Sequence, residues 1–283
     1  DVNFGQRPFS YTPPTGFKSL HTGNLPDSSI VDGSKYFDAV LWTGDGTSSR
    51  SITGLEFQPD LVWIKSRSNP NPHDLIDAVR GANKFLRSNA TDAEGTFSFL
   101  SSFDSDGFTL GTNDNDVNGS GYTYVGWNWK ANGAGVSNTD GSITSTVSAN
   151  PTAGFSIVTW TADGSAGATI GHGLGVAPSM IIVQTRTGTN NRNKPVYHSA
   201  LGNTKALVLD LTIAADTWSG YWNNTSPSST VFTVGNDQNT NTNGSTMLAY
   251  CFAEVDGYSK FGSYTGNGSA DGPFVHLGFR PAF

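Results

Sequence analysis

The stretch Phe37-Asp-Ala-Val-Leu-Trp-Thr-Gly-Asp-Gly46, followed by Gly54-Leu-Glu-Phe-Gln-Pro-Asp-Leu-Val-Trp-Ile-Lys65, decides how the rest of the chain reads. In Leu61-Val-Trp-Ile-Lys65 one strand face would carry Leu61, Trp63 and Lys65 and the other Val62 and Ile64, the two-residue period of a half-buried strand. Pro59 stands just ahead, where a missing N–H is tolerated. The same succession returns 118 positions later as Phe155-Ser-Ile-Val-Thr-Trp-Thr-Ala-Asp-Gly164, then Gly173-Leu-Gly-Val-Ala-Pro-Ser-Met-Ile-Ile-Val-Gln184. It begins a third time at Phe261-Gly-Ser-Tyr-Thr-Gly-Asn-Gly268 and reaches Leu277-Gly-Phe-Arg-Pro281. The separation from aromatic residue to proline is 17, 18 and 17 in the three copies, an agreement that chance rarely gives.

Working outward, Gly107-Phe-Thr-Leu-Gly111 matches Val231-Phe-Thr-Val-Gly235. Each is followed by an Asn/Asp-rich stretch (112–121 and 236–244) and then an aromatic strand (122–130 and 246–254), in which Trp127 and Trp129 correspond to Tyr250 and Phe252. Alternation puts Trp127 and Trp129 on one strand face, in the core or at an interface. Gly202-Asn203 between two apolar runs is a hairpin signal, and by correspondence residues 75–87 are expected to form a hairpin around Gly81. The fold expected is therefore all-β: two tandem β-sandwich repeats of jelly-roll-like type, with strand extensions at both ends. The boundaries read as 1–30 for an N-terminal strand and Pro-rich linker, 31–136 and 137–257 for the two repeats, and 258–283 for the start of a third. That last piece is either truncated or donated to a neighbour.

Composition agrees with this pattern. The chain has 283 residues with 34 Gly, 32 Ser, 31 Thr and 24 Asn, and only three Glu (Glu56, Glu94 and Glu254). Helix surfaces are built from Glu, Lys, Arg, Ala and Leu, so helix-making material is scarce, while strand and turn residues abound. At 36% hydrophobic and 12% aromatic the chain can fill a core, which excludes disorder. Charged residues make up 14%, against roughly 25% in ordinary soluble domains. The net charge of −7 and the 16 scattered Lys and Arg form no basic stripe, so nucleic acid is excluded as a partner. No apolar run approaches the roughly 20 residues of a membrane span. The sequence opens on Asp1 with neither Met nor an apolar leader, as a processed chain or a fragment would. Cys251, alone among apolar neighbours, is expected to be a small buried hydrophobe.

The repeating residues also carry a resemblance. Asn3-Phe-Gly-Gln-Arg-Pro-Phe9 resembles the last strand of a SPRY-like module, and Gly16-Phe-Lys-Ser-Leu20 with Asn24-Leu-Pro26 resembles the junction that follows such modules in phage proteins. The Trp/Tyr-Thr-Gly-x-Gly turn, the Pro-x-apolar strand start and the Tyr-Val-x-Trp-x-Trp strand resemble repeated β-domains of bacteriophage tail-fibre and other virion-associated proteins of marine and freshwater phages. The resemblance covers nearly the whole chain but rests on structural motifs. It implies a place on a virion surface, outside the cell, and a binding or building role without catalysis.

The search for chemistry gives three candidate sites. Asp114-Asn-Asp-Val-Asn118-Gly119 opens like a calcium loop, with Asp114, Asp116 and Asn118 as ligands, but Val125 stands where the bidentate Glu belongs. A solvated Asn/Asp turn is the competing reading, and calcium is the one cofactor considered. Trp218, Tyr221, Trp222 and Asn223 cluster in a turn-rich segment and form the candidate carbohydrate platform, with Phe97, Phe99 and Phe103 in the corresponding place of the first repeat. Capping of the sandwich core is the plainer alternative for these rings. Phe274, Val275, Leu277, Phe279 and Phe283 form a candidate assembly strand that would add to a neighbour's sheet edge. No Gly-x-Ser-x-Gly elbow, phosphate loop or selected carboxylate pair points to catalysis. The reading is thus a non-enzymatic virion structural protein, as a tail-fibre or adhesin segment or a capsid decoration. Its partners would be copies of itself, other virion proteins and a host-surface glycan. The alternatives are a tailspike-type polysaccharide hydrolase and an extracellular filament or surface-layer subunit.

Overall fold

The computed structural model of the protein describes residues 28–188 and 192–281. The N-terminal strand, the SPRY-like piece and Phe283 lie outside these residues. Among the described residues, apart from a 3-10 turn at Gly33–Lys35 and two short helices, the regular structure is strand. The first half contributes β1 (Phe37–Thr43), β2 (Arg50–Thr53), β3 (Leu61–Ser66), β4 (His73–Asp77), β5 (Lys84–Arg87), β6 (Gly95–Thr96), β7 (Leu100–Asp104), β8 (Gly107–Leu110) and β9 (Thr123–Trp129). The second contributes β10 (Val136–Asn138), β11 (Ser145–Asn150), β12 (Phe155–Thr161), β13 (Ala168–Gly171), β14 (Met180–Thr185), β15 (Pro195–His198), β16 (Lys205–Val208), β17 (Asp216–Thr217), β18 (Val231–Val234) and β19 (Thr246–Phe252). Helices α1 (Ser219–Trp222) and α2 (Gln238–Asn241) interrupt this second series.

The strands form a six-stranded sheet in the order β1-β9-β3-β4-β5-β6 and an eight-stranded sheet in the order β10-β11-β12-β19-β14-β15-β16-β17. Each is faced by a small antiparallel sheet, β2-β8-β7 on the first and β13-β18 on the second. The chain is all-β, and its strand ladders are antiparallel. The hairpin expected around Gly81 is present as β4–β5, with Gly81 at φ +94°, a conformation that glycine adopts without strain. The hairpin at Gly202-Asn203 is present as β15–β16.

Packing explains the alternation. On β9, Tyr124 and Asn128 are fully buried toward the small sheet, while Trp127 and Trp129 point the other way. The first core joins Trp42, Val62, Ile64, Ile76 and Tyr124 of the large sheet to Ile52, Leu100, Phe108 and Leu110 of the small one. A matching core joins Val158, Trp160, Ile181, Val183, Met247 and Cys251 to Ala168, Ile170, Phe232 and Val234. A third core lies between the two large sheets. Leu61, Leu75 and Leu86 of the first half meet Phe155, Ile157, Leu248 and Tyr250 of the second. Trp129 packs there with ring centroids 6.1 Å from both Phe155 and Phe252. The two halves are therefore stacked through their broad aromatic faces, in four layers of sheet.

The connection between them is fixed as well. Asp60 accepts hydrogen bonds from Ala131 N–H at 2.7 Å and Gly133 N–H at 3.1 Å, just after β9. Burial pushes the Asp60 carboxyl up, and the two amides oppose that rise.

Candidate functional site

The loop between β8 and β9 is positioned by two aromatic side chains. Trp42 donates from Nε1 to Val117 O at 3.0 Å and stacks on Tyr124 at 5.4 Å. Tyr124 donates from its hydroxyl to Asn115 O and accepts from Gly119 N–H, both at 2.8 Å. Within the loop, Asp114 Oδ1 accepts from Asp116 N–H at 2.8 Å, an Asx turn that local Asp geometry favours. Asp116 is thereby turned toward β5, where its carboxylate meets Arg87 Nη2 at 3.2 Å.

On β5, Phe85 and Arg87 lie two residues apart and share a strand face. The guanidinium stands 5.3 Å from the Phe85 ring centroid. Gly95 of β6 lies under the same ring. A Cβ there would sit 2.3 Å from Phe85 ring atoms, so a larger residue would displace the ring. Phe99 packs edge-on against both Phe85 and Phe97, at 4.8 and 4.9 Å. Phe99 is buried, whereas Phe97 keeps 45% of its surface exposed. Phe85, Arg87, Phe97, Asp114 and Asp116 thus line one shallow pocket of about 360 Å³.

Beneath Arg87 lies Asp74, with no exposed side-chain surface. It is held only by an ion pair to Arg87 Nε at 3.6 Å, and among the described residues neither oxygen has a hydrogen-bond partner. Burial, and then the charge of Asp116, push its carboxyl up to about 7 against the pull of Arg87. The Asp116 carboxyl is raised too, by burial and by Asp114. Arg87 also pairs with Asp92 at 3.4 Å, so one guanidinium serves three carboxylates around the pocket. Rings edged by charged hydrogen-bonding groups suit a polyhydroxyl ligand, whose C–H faces stack and whose hydroxyls bond. Asp74, lying behind Arg87, does not reach a ligand at the surface.

The structure rearranges the sites expected from sequence. The carbohydrate platform at Trp218, Tyr221, Trp222 and Asn223 is corrected, because two of its rings point inward. Trp222 is 1% exposed, packs edge-on against Tyr197 and donates from Nε1 to Lys205 O at 3.1 Å. Tyr221 is buried in the same core and donates to Asp216 at 3.0 Å. Helix α1 turns both rings onto the sheet and leaves Trp218 exposed at its N-terminal end. Asn223 closes that helix in the left-handed conformation at φ 50°.

In the expected calcium triad the Asn118 side chain is already engaged. Asn118 is fully buried, and its amide donates to Asp45 Oδ1 at 2.9 Å and Thr47 O at 2.7 Å while accepting from Asp45 N–H and Arg50. Its hydrogen-bonding capacity is spent on the turn after β1. No group of three or more His, Cys, Asp or Glu that could hold a metal ion occurs among the described residues.

The expected assembly strand is not a strand in the single chain. Between 261 and 281 no strand is formed, Phe274 is 90% exposed, Val275 is exposed, and Leu277 and Phe279 are half-buried. Phe283 lies outside the described residues. Sequence reasoning missed Arg87 and Phe85 altogether. The signal that could have found them is the alternation of an aromatic and an arginine on a strand opposite a buried aspartate.

The fold and this pocket define an all-β stacked-sandwich protein with a shallow aromatic and carboxylate surface site. A family model described as a domain of unknown function, DUF7483, matches residues 32–283, and the chain belongs to that family. Neither the curated proteins nor the solved structures contain a match to it. Among the described residues no helix is long and apolar enough to cross a membrane.

Proposed function

We propose that this chain is a non-enzymatic structural component of a phage virion surface, as a tail-fibre or adhesin segment or a capsid decoration. It assembles with copies of itself and presents the Phe97 pocket to a host-surface glycan. The observation that carries the reading is the exposed Phe97 ring beside the Arg87–Asp116 pair in a shallow pocket. Such a site offers stacking and directional hydrogen bonds to a pyranose without enclosing it. The sparse charge and the four stacked layers fit a subunit that packs among others and stays rigid outside cells without disulfides.

The test is a glycan array probed with the full chain, followed by titration of the strongest hit. Binding that falls at least tenfold in Phe97→Ala, with the thermal transition unchanged, supports the reading. No binding on a broad array of bacterial surface glycans, or binding unaffected by Phe97→Ala, removes the glycan role.

A further inference from the structure

We infer that the segment between β16 and β17 is an interface for a second copy of this chain, a step that rests on the proposal of self-assembly and names its surface. The inference starts from two hairpins with one register. In the first half β5 pairs with β6 through Lys84 with Thr96 and Phe85 with Gly95. In the second β16 pairs with β17 through Lys205 with Thr217 and Ala206 with Asp216. Both segments have the same length, and each residue of one has a counterpart 121 positions on in the other.

In the first half this segment is already an interface, because it docks on the second half of the same chain. Glu94 N–H donates to Arg186 O at 2.8 Å, its carboxylate takes Arg186 Nε at 2.8 Å, and Lys194 Nζ donates to Ala90 O. In the second half the matching positions hold different chemistry. Ser88, Ala90, Asp92 and Glu94 become Leu209, Leu211, Ile213 and Ala215. Leu209, Leu211 and Ile213 are 38, 42 and 53% exposed, with Leu207 at 38% on β16 and Trp218 at 52% just after β17.

Five large apolar side chains in twelve consecutive residues form a surface that water does not favour. A chain with 14% charged residues could readily have placed polar groups there, as its first half does. The loop's own counterpart is covered by the other half of the chain, so this element of the fold is placed where a partner surface can reach it. Because the large exposed side chains of the stripe are all apolar, the surface that suits it best is the same stripe on a second chain. That arrangement is an isologous contact about a two-fold axis.

The experiment is the mass of the full chain in solution by light scattering across a dilution series, for the wild type and for Leu211→Lys with Ile213→Glu. Both positions are exposed, so the folded state should survive, and an unchanged thermal transition checks this. The expected result is a dimer that becomes a monomer in the double variant. A wild-type monomer at every concentration overturns the inference, as does a dimer that persists in the variant. Ile213→Cys supplies a second measurement, because the natural Cys251 is fully buried and leaves one accessible thiol. An interface at the two-fold axis gives a covalent dimer on mild oxidation, and its absence counts against the stripe. Glycan binding by Phe97 is read separately, so loss of the dimer and loss of the glycan role are distinguishable.

Discussion

The Tyr250 hydroxyl donates to Asp77 Oδ2 at 2.8 Å, joining residues 173 positions apart across the contact between the two stacked halves. The same oxygen receives Arg80 Nε at 2.6 Å. Arg80 continues to Leu75 O at 2.8 Å and to Glu94 at 3.3 Å, and Glu94 is clamped by Arg186. The side chains of Arg80 and Asp77 are wholly buried. Burial alone would pull the Arg80 guanidinium down, but the charges of Asp77, Tyr250 and Glu94 and the Asp77 hydrogen bond together outweigh it and hold Arg80 above its ordinary value. Burial and the Asp77 charge together raise the Tyr250 phenol well above the usual range, so it acts as a donor at any ordinary pH. The network sits at the edge of the apolar contact made by Leu75, Leu86 and Leu248 and fixes how the two sheets align.

Removing one member of this network should cost more than removing a typical hydrogen bond. Asp77→Ala leaves Arg80 charged and buried with its closest partner gone, a loss of about 3–5 kcal/mol. Tyr250→Phe takes away one donor while Arg80 still serves Asp77, so about 1–3 kcal/mol is expected. Denaturant unfolding followed by tryptophan fluorescence and by circular dichroism measures both. The two probes should remain coincident in the wild type. A loss in Asp77→Ala below about 1 kcal/mol would mean that the network does not couple the halves.

Asp74 predicts a pH dependence with a definite sign. Its carboxyl is raised from 3.8 to about 7 in the fold by burial and by Asp116. Between these values the native state keeps a proton that the unfolded chain has released. Stability is therefore full below about pH 4, declines as pH rises to about 7, and then levels off. At about 1.4 kcal/mol per pH unit the decline is bounded near 4 kcal/mol. Asp74→Asn should flatten this slope and make the variant more stable than the wild type at pH 8. Urea midpoints from pH 4 to pH 8 decide it, and an unchanged slope in the variant assigns the effect elsewhere.

How far these features could be read in advance depends on the distance over which each is determined. The strands were legible because alternation and turn residues act locally. The Asp-Gly turns after β1 and β12 were legible as repeats, but not their cause. Asn118 staples the first through Asp45 and Thr47, and Asn241 staples the second through Asp163 and Ser165. The Asn/Asp stretches therefore serve turns lying more than 70 residues earlier, which no spacing rule announces. The inward direction of Tyr221 and Trp222 follows from the four-residue helix α1, too short to be signalled by periodicity. Glu94 stood out as one of three glutamates, yet its partners Arg80 and Arg186 come from two different hairpins.

The two tryptophans of that segment should behave oppositely when truncated. Trp222 is 1% exposed, fills the core beside Tyr197 and satisfies Lys205 O. Trp222→Ala should cost about 3–5 kcal/mol through the cavity it leaves. Trp218 is half exposed, and Trp218→Ala should stay within about 0.5 kcal/mol as a surface change. Thermal or denaturant unfolding of the two variants settles the ranking. Equal losses would show that the Trp218 ring, which lies against Gly220, is part of the packing.

Cys251 offers a probe of how the centre of the fold opens. It lies in β19, between β12 and β14, with no exposed surface. Burial pushes its thiol up to about 12 against a smaller opposing influence of Ser156, so hardly any thiolate exists at pH 8. In the unfolded chain the same thiol titrates near 8.5 and reacts readily. Labelling by an aromatic disulfide reagent must then wait for the strand to leave the sheet. If β19 is released only by global unfolding, the labelling rate equals the unfolded-chain rate multiplied by the unfolding equilibrium constant. Asp77→Ala should then speed labelling by roughly two to four powers of ten, the factor that matches its 3–5 kcal/mol loss. Labelling that is faster than the denaturant-derived constant, and that ignores Asp77→Ala, would instead reveal a local opening of β19 within an intact stack.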